Sequence, residues 1–342
     1  MGPSTSRLLP REVATLLVCM TLAASGIVVG ATGASSAPEA SEYLEKMAKA
    51  EHATYRARRL VVYLADPQSA AVLEIHSSAD GTFVRAEAGT DVTRVWRVPG
   101  HGLTSGDAGS FEDAAPPAVP LRTDEVMDKY DVTLGEPTMM LGRSVVPLDL
   151  VRRADVALVE RLWVDRETGI VYQRELFGPE GDMVGISTML DMDWGEAGHT
   201  ETYDGPETSK VVASASADAP ERLAYGYRLV KGYRLEAEGR PADHWVYSDG
   251  FHTLSVFRTD GDMSTPPRFH RLDIEGREVW AGPGPGTWIW EGDSSTWVLV
   301  AEEPQLDVAS LVAPFPSGGP SLLSRVGSWW AQAWHWLTDL VT

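Results

Sequence analysis

Few residues in this sequence have types and spacings that could support catalysis or metal binding. Asp191 and Asp193 share one face of a predicted strand, where paired carboxylates could serve as acid and base or bind Ca²⁺. They lack the spacing of a calcium loop, so solvated strand positions are the simpler interpretation. His270 and Asp273 favour a surface pair, and neither a zinc-protease motif nor a Gly-x-Ser-x-Gly elbow occurs. The sequence therefore predicts no catalytic residue and no metal site.

Two further features resemble cofactor or redox sites and are better explained otherwise. The loop Gly282–Gly286 lacks the Lys-Ser/Thr that follows a phosphate-binding loop, and its prolines remove amide donors. Cys19 is the only cysteine, so a disulfide and a cysteine-based zinc site are both excluded. We predict that the protein has no cofactor.

Charge and length limit the classes of partner. The chain has 342 residues, enough for two domains, and 43% of them are hydrophobic, which is typical of a globular protein. Its formal charge is −20 at pH 7, which argues against nucleic acid as a partner because phosphate binding needs a basic surface. A basic partner segment would be attracted instead.

Residues 1–34 have the parts of a secretory signal peptide. Arg7 and Arg11 precede the apolar run 13–30, and small residues follow it at 31–34. The run is also near the length that spans a bilayer, so an uncleaved membrane anchor is the alternative. In both cases we expect the rest of the chain to be extracytoplasmic, in the periplasm or the cell envelope, either secreted or anchored by residues 13–30.

The stretch 40–194 predicts one domain with a large antiparallel sheet. Ser41 can cap a helix that we expect to run to about Arg58, and period-two strands follow it. The segment 99–120 is rich in Gly, Ser, Asp and Pro and predicts a long loop. We expect an α+β fold, a large curved antiparallel sheet with packed helices. An apolar cavity between the sheet and helix 41–58 is a further expectation.

A polar connection at 195–220 predicts a linker to a second, smaller α+β domain at 221–316. Its most distinctive unit is a hairpin, in which a strand ending at Tyr247 and a strand through Phe257 are joined by a turn at Ser248-Asp249-Gly250. Pro304 favours the start of a short helix that runs through Ala313.

The amino-acid sequence of that hairpin resembles a known protein family. Tyr247-Ser248-Asp249-Gly250-Phe251, followed by Leu254-Ser255-Val256-Phe257, resembles the start of the C-terminal domain of the RseB/MucB proteins. Leu162-Trp163-Val164-Asp165, Arg166-Glu167-Thr168-Gly169 and the turn Gly178–Asp182 resemble the central hairpins of the lipoprotein-carrier-like domain that opens those proteins. The resemblance covers about residues 40–316.

The resemblance implies a non-catalytic extracytoplasmic regulator of sigma-factor activity. Family members bind the extracytoplasmic segment of a membrane anti-sigma factor and shield it from proteolysis, and a lipid or envelope signal relieves the shielding. We expect partner binding at the hairpin, with Asp249 exposed at its tip. The residues assigned to this role are Tyr247, Ser248, Asp249, Gly250 and Phe251. A lipid or lipoprotein carrier that uses only the first domain is the alternative, and an enzyme acting on envelope material is a third.

The segment 321–341 lies outside the resemblance and predicts an amphipathic helix. Ser321 can cap it, a narrow polar stripe runs along it, and a wide apolar face remains. The face is rich in tryptophan, which is favoured at membrane interfaces. Either the membrane surface or the protein's own domains must cover it. The expected membrane-contact residues are Trp329, Trp330, Trp334, Trp336 and Leu337.

Overall fold

The computed structural model describes most of the chain between residues 37 and 317. The described residues are 37–50, 53–64, 70–78, 81–88, 92–98, 104–105, 121–195, 209–214, 219–237, 240–261, 269–282, 286–301, 303 and 305–317. The predicted signal segment 1–34 and the predicted Trp-rich helix 321–341 lie outside them. No helix in these ranges has the length and apolar character needed to cross a membrane.

The first helix, α1, spans Ala37–Ala50 and is shorter than expected. Ala40, Leu44 and Met47 recur at helical spacing and are buried. The expected extension to Arg58 is wrong, because Tyr55–Tyr63 forms strand β1, with alternating burial along most of its length and a partner strand on each side. Pairing with two strands outweighs the helical spacing of Tyr55 relative to the residues before it.

In the described residues eleven strands form the first sheet, which is antiparallel throughout. They are β1 (Tyr55–Tyr63), β2 (Ala71–Ser78), β3 (Gly81–Ala88), β4 (Val92–Val98), β5 (Thr104–Ser105), β6 (Tyr130–Leu134), β7 (Thr138–Met140), β8 (Arg143–Arg152), β9 (Ala157–Asp165), β10 (Val171–Phe177) and β11 (Met183–Trp194). The spatial order is β5-β4-β3-β2-β1-β11-β10-β9-β8-β6, and β7 pairs with β8. The sequence did not predict the short helix α2 (Thr123–Lys129) that leads into β6, since its one fully buried residue, Val126, gives no periodic signal.

The second sheet has eight strands in the described residues. They are β12 (Ser209–Ser214), β13 (Arg228–Ala237), β14 (Arg240–Ser248), β15 (Thr253–Asp260), β16 (His270–Ile274), β17 (Arg277–Ala281), β18 (Thr287–Gly292) and β19 (Ser295–Ala301), in the spatial order β12-β13-β14-β15-β19-β18-β17-β16. A single 3₁₀ turn at Ala224–Gly226 precedes β13. Strand β12 lies inside the segment predicted to be a linker and pairs with β13, so that segment is partly structured.

The last described helix, α3, spans Val308–Val312. Asp307 caps it, because its carboxylate accepts hydrogen bonds from the backbone N–H groups of Ala309 and Ser310. The helix therefore begins later than the start expected at Pro304. Leu311 and Val312 pack into the core of the second sheet.

Each sheet has its own apolar core. The core of the second sheet contains near-parallel stacked rings of Trp245, Trp290 and Trp297. One core of the first sheet lies under α1 and α2 and includes Phe251, which comes from the second half of the chain. The predicted fold class, α+β with a large antiparallel sheet and packed helices, is confirmed. The domain boundaries stay a prediction.

Candidate functional site

The turn between β14 and β15 lies against α2, at the junction of the two sheets. The backbone N–H of Arg122 donates a hydrogen bond to the Gly250 carbonyl across 2.8 Å. Phe251 packs among the apolar side chains of the first sheet. The tip of the hairpin is therefore held by residues about 120 positions earlier in the chain.

Asp249 organises the turn as well as the junction. Its Oδ1 accepts hydrogen bonds from the backbone N–H groups of Phe251 at 2.9 Å and His252 at 2.7 Å. The Ser248 hydroxyl donates to the His252 carbonyl at 3.1 Å and accepts from the Gly250 N–H at 3.0 Å. These local bonds are typical of Asp and Ser in turns. They leave Oδ2 of Asp249 free to face the first sheet.

Gly250 is required by both its backbone and its surroundings. Its φ is +96°, a conformation that favours glycine. A Cβ added here would lie 2.6 Å from Cβ of Glu125 in α2. No side chain fits at this position without displacing the helix.

The structure corrects the expected exposure of Asp249. Asp249 is 4% exposed, and Tyr247, Ser248 and Phe251 are buried as well. Tyr247 lies in the second core, with its hydroxyl donating to the Pro220 carbonyl at 3.0 Å. The residues assigned to partner binding are thus brought together, but inside the molecule. Their role in partner binding stays a prediction. Because they are buried, these side chains are poorly placed to contact a partner directly.

Around Asp249 the two sheets share a group of buried and partly buried ionisable residues, which we call the inter-sheet cluster. Its members are Lys129, Tyr130, Arg152, Glu160 and Arg174 from the first half of the chain and Asp249, His252 and Glu303 from the second. Lys129 forms an ion pair with Asp249, and the Tyr130 hydroxyl donates to Asp249 Oδ2 at 3.1 Å. Both of these contacts join a residue of the first half of the chain to a residue of the second.

His252 lies at the centre of the cluster and is fully buried. Its Nε2 lies 2.9 Å from Oε2 of Glu160, and its Nδ1 lies 3.2 Å from the Tyr130 hydroxyl. Burial opposes protonation, but hydrogen bonds to Asp249 and Glu160 and the charges of Asp249 and Glu303 outweigh it and raise the pKa of His252 to about 9. At neutral pH His252 is therefore a buried cation that donates from both nitrogens.

Glu303 connects the cluster to the end of β8. Arg152 forms an ion pair with Glu303, and Lys129 Nζ lies 3.7 Å from its Oε2. Gln305 continues the junction, since its side-chain amide donates to the carbonyls of Leu158 at 2.8 Å and Gly178 at 2.9 Å. The segment after β19 is thereby tied to the start of β9 and to the turn after β10.

The charges of the cluster compensate one another. Its carboxylates are Glu160, Asp249 and Glu303, and its cations are Lys129, Arg152, Arg174 and protonated His252. A fourth carboxylate, the exposed Asp155 at the edge of the cluster, pairs with Arg152. Desolvation opposes ionisation of Asp249 and Glu160, but the neighbouring cations hold the pKa of each carboxyl below its usual range. Burial and the nearby carboxylates raise the pKa of Tyr130, so it stays a neutral hydrogen-bond donor.

Asp249, His252 and Glu303 offer possible metal-ligand atoms within 4.8 Å of one another. Lys129 contacts both carboxylates, so a cation already lies between them. His252 is also engaged by Glu160 and Tyr130. The arrangement fits a structural ion network that fixes two sheets together, and a metal would have to displace Lys129.

The other sequence candidates lie away from this cluster. Asp191 pairs with Arg58 at the surface. His270 is exposed on β16, and Asp273 accepts a hydrogen bond from Gly276 N–H in the next turn. The membrane-contact residues Trp329, Trp330, Trp334, Trp336 and Leu337 lie outside the described residues.

Sequence reasoning identified Asp249 but missed its partners. Lys129, Tyr130 and Glu160 precede it by about 90 to 120 positions and lie on separate elements. Nothing in their local sequence distinguishes them from solvated strand or helix residues. His252 follows the Asp249-Gly250 turn closely, and only that place beside the turn could have singled it out.

Comparisons with known proteins support the fold assignment. No protein-family model matches the sequence. No curated protein matches it. A crystal structure of MucB is similar, with a TM-score of 0.54 and 20% identity over 80% of this chain and 95% of that one.

Two solved complexes are similar to the same extent. The complex of Pseudomonas aeruginosa MucA and MucB matches with a TM-score of 0.52 and 18% identity, over 82% of this chain and 100% of that one. MucB in complex with MucA(peri) matches with a TM-score of 0.50 and 17% identity, over 82% and 100% of the two chains. Coverage this wide includes both sheets. The chain therefore has a MucB-like fold, which confirms the predicted resemblance at the level of the fold.

Proposed function

We propose that this protein is a non-catalytic, extracytoplasmic regulator that binds the extracytoplasmic segment of a membrane anti-sigma factor. Binding would shield that segment from proteolysis, and a lipid or another envelope signal would relieve the shielding. The observation that carries the proposal is the likeness to MucB in complex with MucA, over 82% of this chain and the whole of the matched one.

The net charge favours a basic partner segment, and an edge strand of the second sheet favours an extended one. The formal charge of −20 attracts basic segments. Strand β16 ends the order of the second sheet, and His270, Arg271 and Asp273 on it are exposed. On its outer side no other described strand is paired with it, so an extended segment has a place to add as a further strand. We propose this edge as a binding position.

The hairpin residues contribute to binding indirectly, by holding the two sheets in a fixed orientation. Tyr247, Ser248, Asp249, Gly250 and Phe251 are all buried. Asp249 and Phe251 contact residues of the first sheet while Tyr247 lies in the core of the second, so the hairpin fixes the orientation of one sheet relative to the other. A partner that contacts both sheets would depend on that orientation. Substitutions in the hairpin would therefore weaken binding because they change the orientation of the two sheets, and not because they remove contacts with the partner.

Two further parts of the proposal concern the membrane. Residues 13–30 would direct the chain out of the cytoplasm, as a cleaved signal or an anchor, and the Trp-rich segment 321–341 would contact the membrane surface. Both arguments rest on the sequence pattern. They would place the protein beside a membrane-embedded partner.

Co-purification from solubilised membranes tests the proposal. The full chain carries an affinity tag, and the bound fraction is analysed for protein and lipid. We expect enrichment of a single-span membrane protein with a cytoplasmic sigma-binding domain. Recovery of lipid with no enriched membrane protein would favour the lipid or lipoprotein carrier and contradict the regulator.

A further inference from the structure

A row of buried side chains crosses the second sheet on the face opposite the stacked tryptophans. It consists of directly opposed residues on β13, β14, β15, β19 and β18, which are Tyr233, His244, Phe257, Val298 and Ile289. Their chain neighbours Trp245, Val256 and Leu299 lie in the tryptophan-containing core. Successive residues of a strand point to opposite faces, so the row lies on the other face, which we call the second face.

The second face is covered. The five residues of the row are between 0% and 7% exposed, whereas a bare face of an antiparallel sheet is open to water. In the described part of the chain, no helix supplies this cover, because the buried residues of α1 and α2 lie in a core of the first sheet and those of α3 lie in the tryptophan-containing core. The cover therefore comes from outside the described residues.

Composition distinguishes the segments that could supply it. The stretches 196–208, 215–218 and 262–268 are short and consist mostly of polar or small residues. Segment 321–341 instead contains four tryptophans, and its predicted helix has a wide apolar face. An apolar helix face and an apolar sheet face bury each other when they pack together.

The end of the described chain lies within reach of the second face. Trp290 Nε1 donates to the Pro316 carbonyl at 3.3 Å, and a Cβ added at Gly292 would lie 2.3 Å from the Pro316 oxygen. Pro316 thus lies against the turn between β18 and β19, at one end of the sheet. The chain from Pro316 to Ser321 can extend over about 17 Å. That is enough to pass round the sheet end to a layer packed about 10 Å away.

The dimensions and polarity of the two surfaces also match. The row crosses five strands and spans about 19 Å, and a helix over residues 321–341 would be about 31 Å long. The Tyr233 hydroxyl is buried and has no hydrogen-bond partner among the described residues, so it can accept from a tryptophan N–H. Burial lowers the pKa of His244 to about 3, so the row is uncharged at neutral pH.

We propose that in solution segment 321–341 packs as a helix on the second face and covers this row. To contact a membrane, the segment has to leave the face and expose the row. The docking involves this chain alone and does not depend on an anti-sigma partner. A failed co-purification and a failed docking test are therefore separate results.

Modification of histidines by diethyl pyrocarbonate, mapped by peptide mass spectrometry, tests the docking in the full chain. The reagent acts on neutral, accessible imidazoles, and His244 lies in the covered row. The variant carries Trp330→Glu and Trp334→Glu, which place two charges one helical turn apart on the apolar face. The matched control is Gln332→Glu, which places a charge on the predicted polar stripe.

We expect His244 to react roughly tenfold or more faster in the double variant than in the wild type and the control, because its cover is lost. The exposed His270 should react in all three proteins, and the fully buried His252 should react in none. Equal rates at His244 in the wild type and the double variant would overturn the docking. If His252 reacts in the double variant, that protein has unfolded, and Trp334→Glu alone replaces it in the comparison.

Vesicles of phosphatidylcholine test the release of the segment. In wild-type protein bound to these vesicles, His244 should react as fast as it does in the double variant. Continued protection of His244 in the vesicle-bound protein would overturn the exchange of the segment between the second face and the membrane.

Discussion

The Tyr130 hydroxyl donates a hydrogen bond to Oδ2 of Asp249 across 3.1 Å. Tyr130 begins a strand of the first sheet, and Asp249 lies in a turn of the second. The same carboxylate oxygen also receives Lys129. The local sequence predicts that this turn is an exposed hairpin tip. In the structure it is a point at which the two sheets are joined.

Asp249→Ala should be strongly destabilising. The substitution leaves Lys129 and His252 buried without this counter-charge and removes the acceptor for two backbone N–H groups. Breaking a buried ion pair costs about 3–5 kcal/mol of unfolding free energy. Urea denaturation measures it, with Asp260→Ala, an exposed residue at the end of β15, as the control. The control should change stability by about 0.5 kcal/mol or less. Similar stabilities of the two variants would contradict the buried junction.

Stability should fall in alkaline solution because of His252. Its pKa is raised from 6.5 to about 9 in the folded protein, so its contribution is fully present below pH 6.5 and is lost as the pH rises through 9. The contribution is on the order of 3 kcal/mol. Unfolding free energies of the wild type and His252→Gln, measured from pH 6 to 10, should converge as the pH rises. A constant difference across that range would show that His252 is not a buried cation.

Gly250→Ala should cost more stability than Gly276→Ala. Both glycines have positive φ, at +96° and +79°. An alanine in that backbone conformation lowers the unfolding free energy by about 1–2 kcal/mol at either position. Only at Gly250 does the new Cβ meet a neighbour, Glu125, whereas nothing lies within 4 Å at Gly276. Overpacking adds about 1–3 kcal/mol. Chemical denaturation of both variants gives the difference, and equal costs would mean that α2 does not press against the turn.

The Trp-rich segment should bind membranes with little dependence on salt. Its predicted apolar face is wide, and it lacks a basic cluster. Flotation with liposomes compares the mature protein with a form that lacks residues 318–342. We expect only the longer form to float, at both low and high salt. Equal flotation of the two forms would indicate that the segment packs on the protein itself.

Local signals predicted the strands well and the junction poorly. The Thr168-Gly169 turn and the Asp249-Gly250 turn are set by neighbouring residues, and the structure places hairpins at both. Helix α1 was predicted too long because the apolar spacing continues into Tyr55, while pairing with β2 and β11 makes that stretch a strand. The burial of Asp249 depends on Lys129 and Tyr130, which are about 120 residues away, and no local pattern encodes it.

We propose that the protein binds an anti-sigma factor segment and depends on the inter-sheet junction to do so. Calorimetric titration of the mature protein with the extracytoplasmic segment of the membrane protein recovered by co-purification tests it most directly. We expect saturable binding by the wild type and the Asp260→Ala control, and at least roughly tenfold weaker binding by Asp249→Asn, a shape-conserving variant that keeps the turn but loses the charge. No binding by the folded wild type would contradict the proposed function. Wild-type affinity in folded Asp249→Asn would contradict the role of the junction.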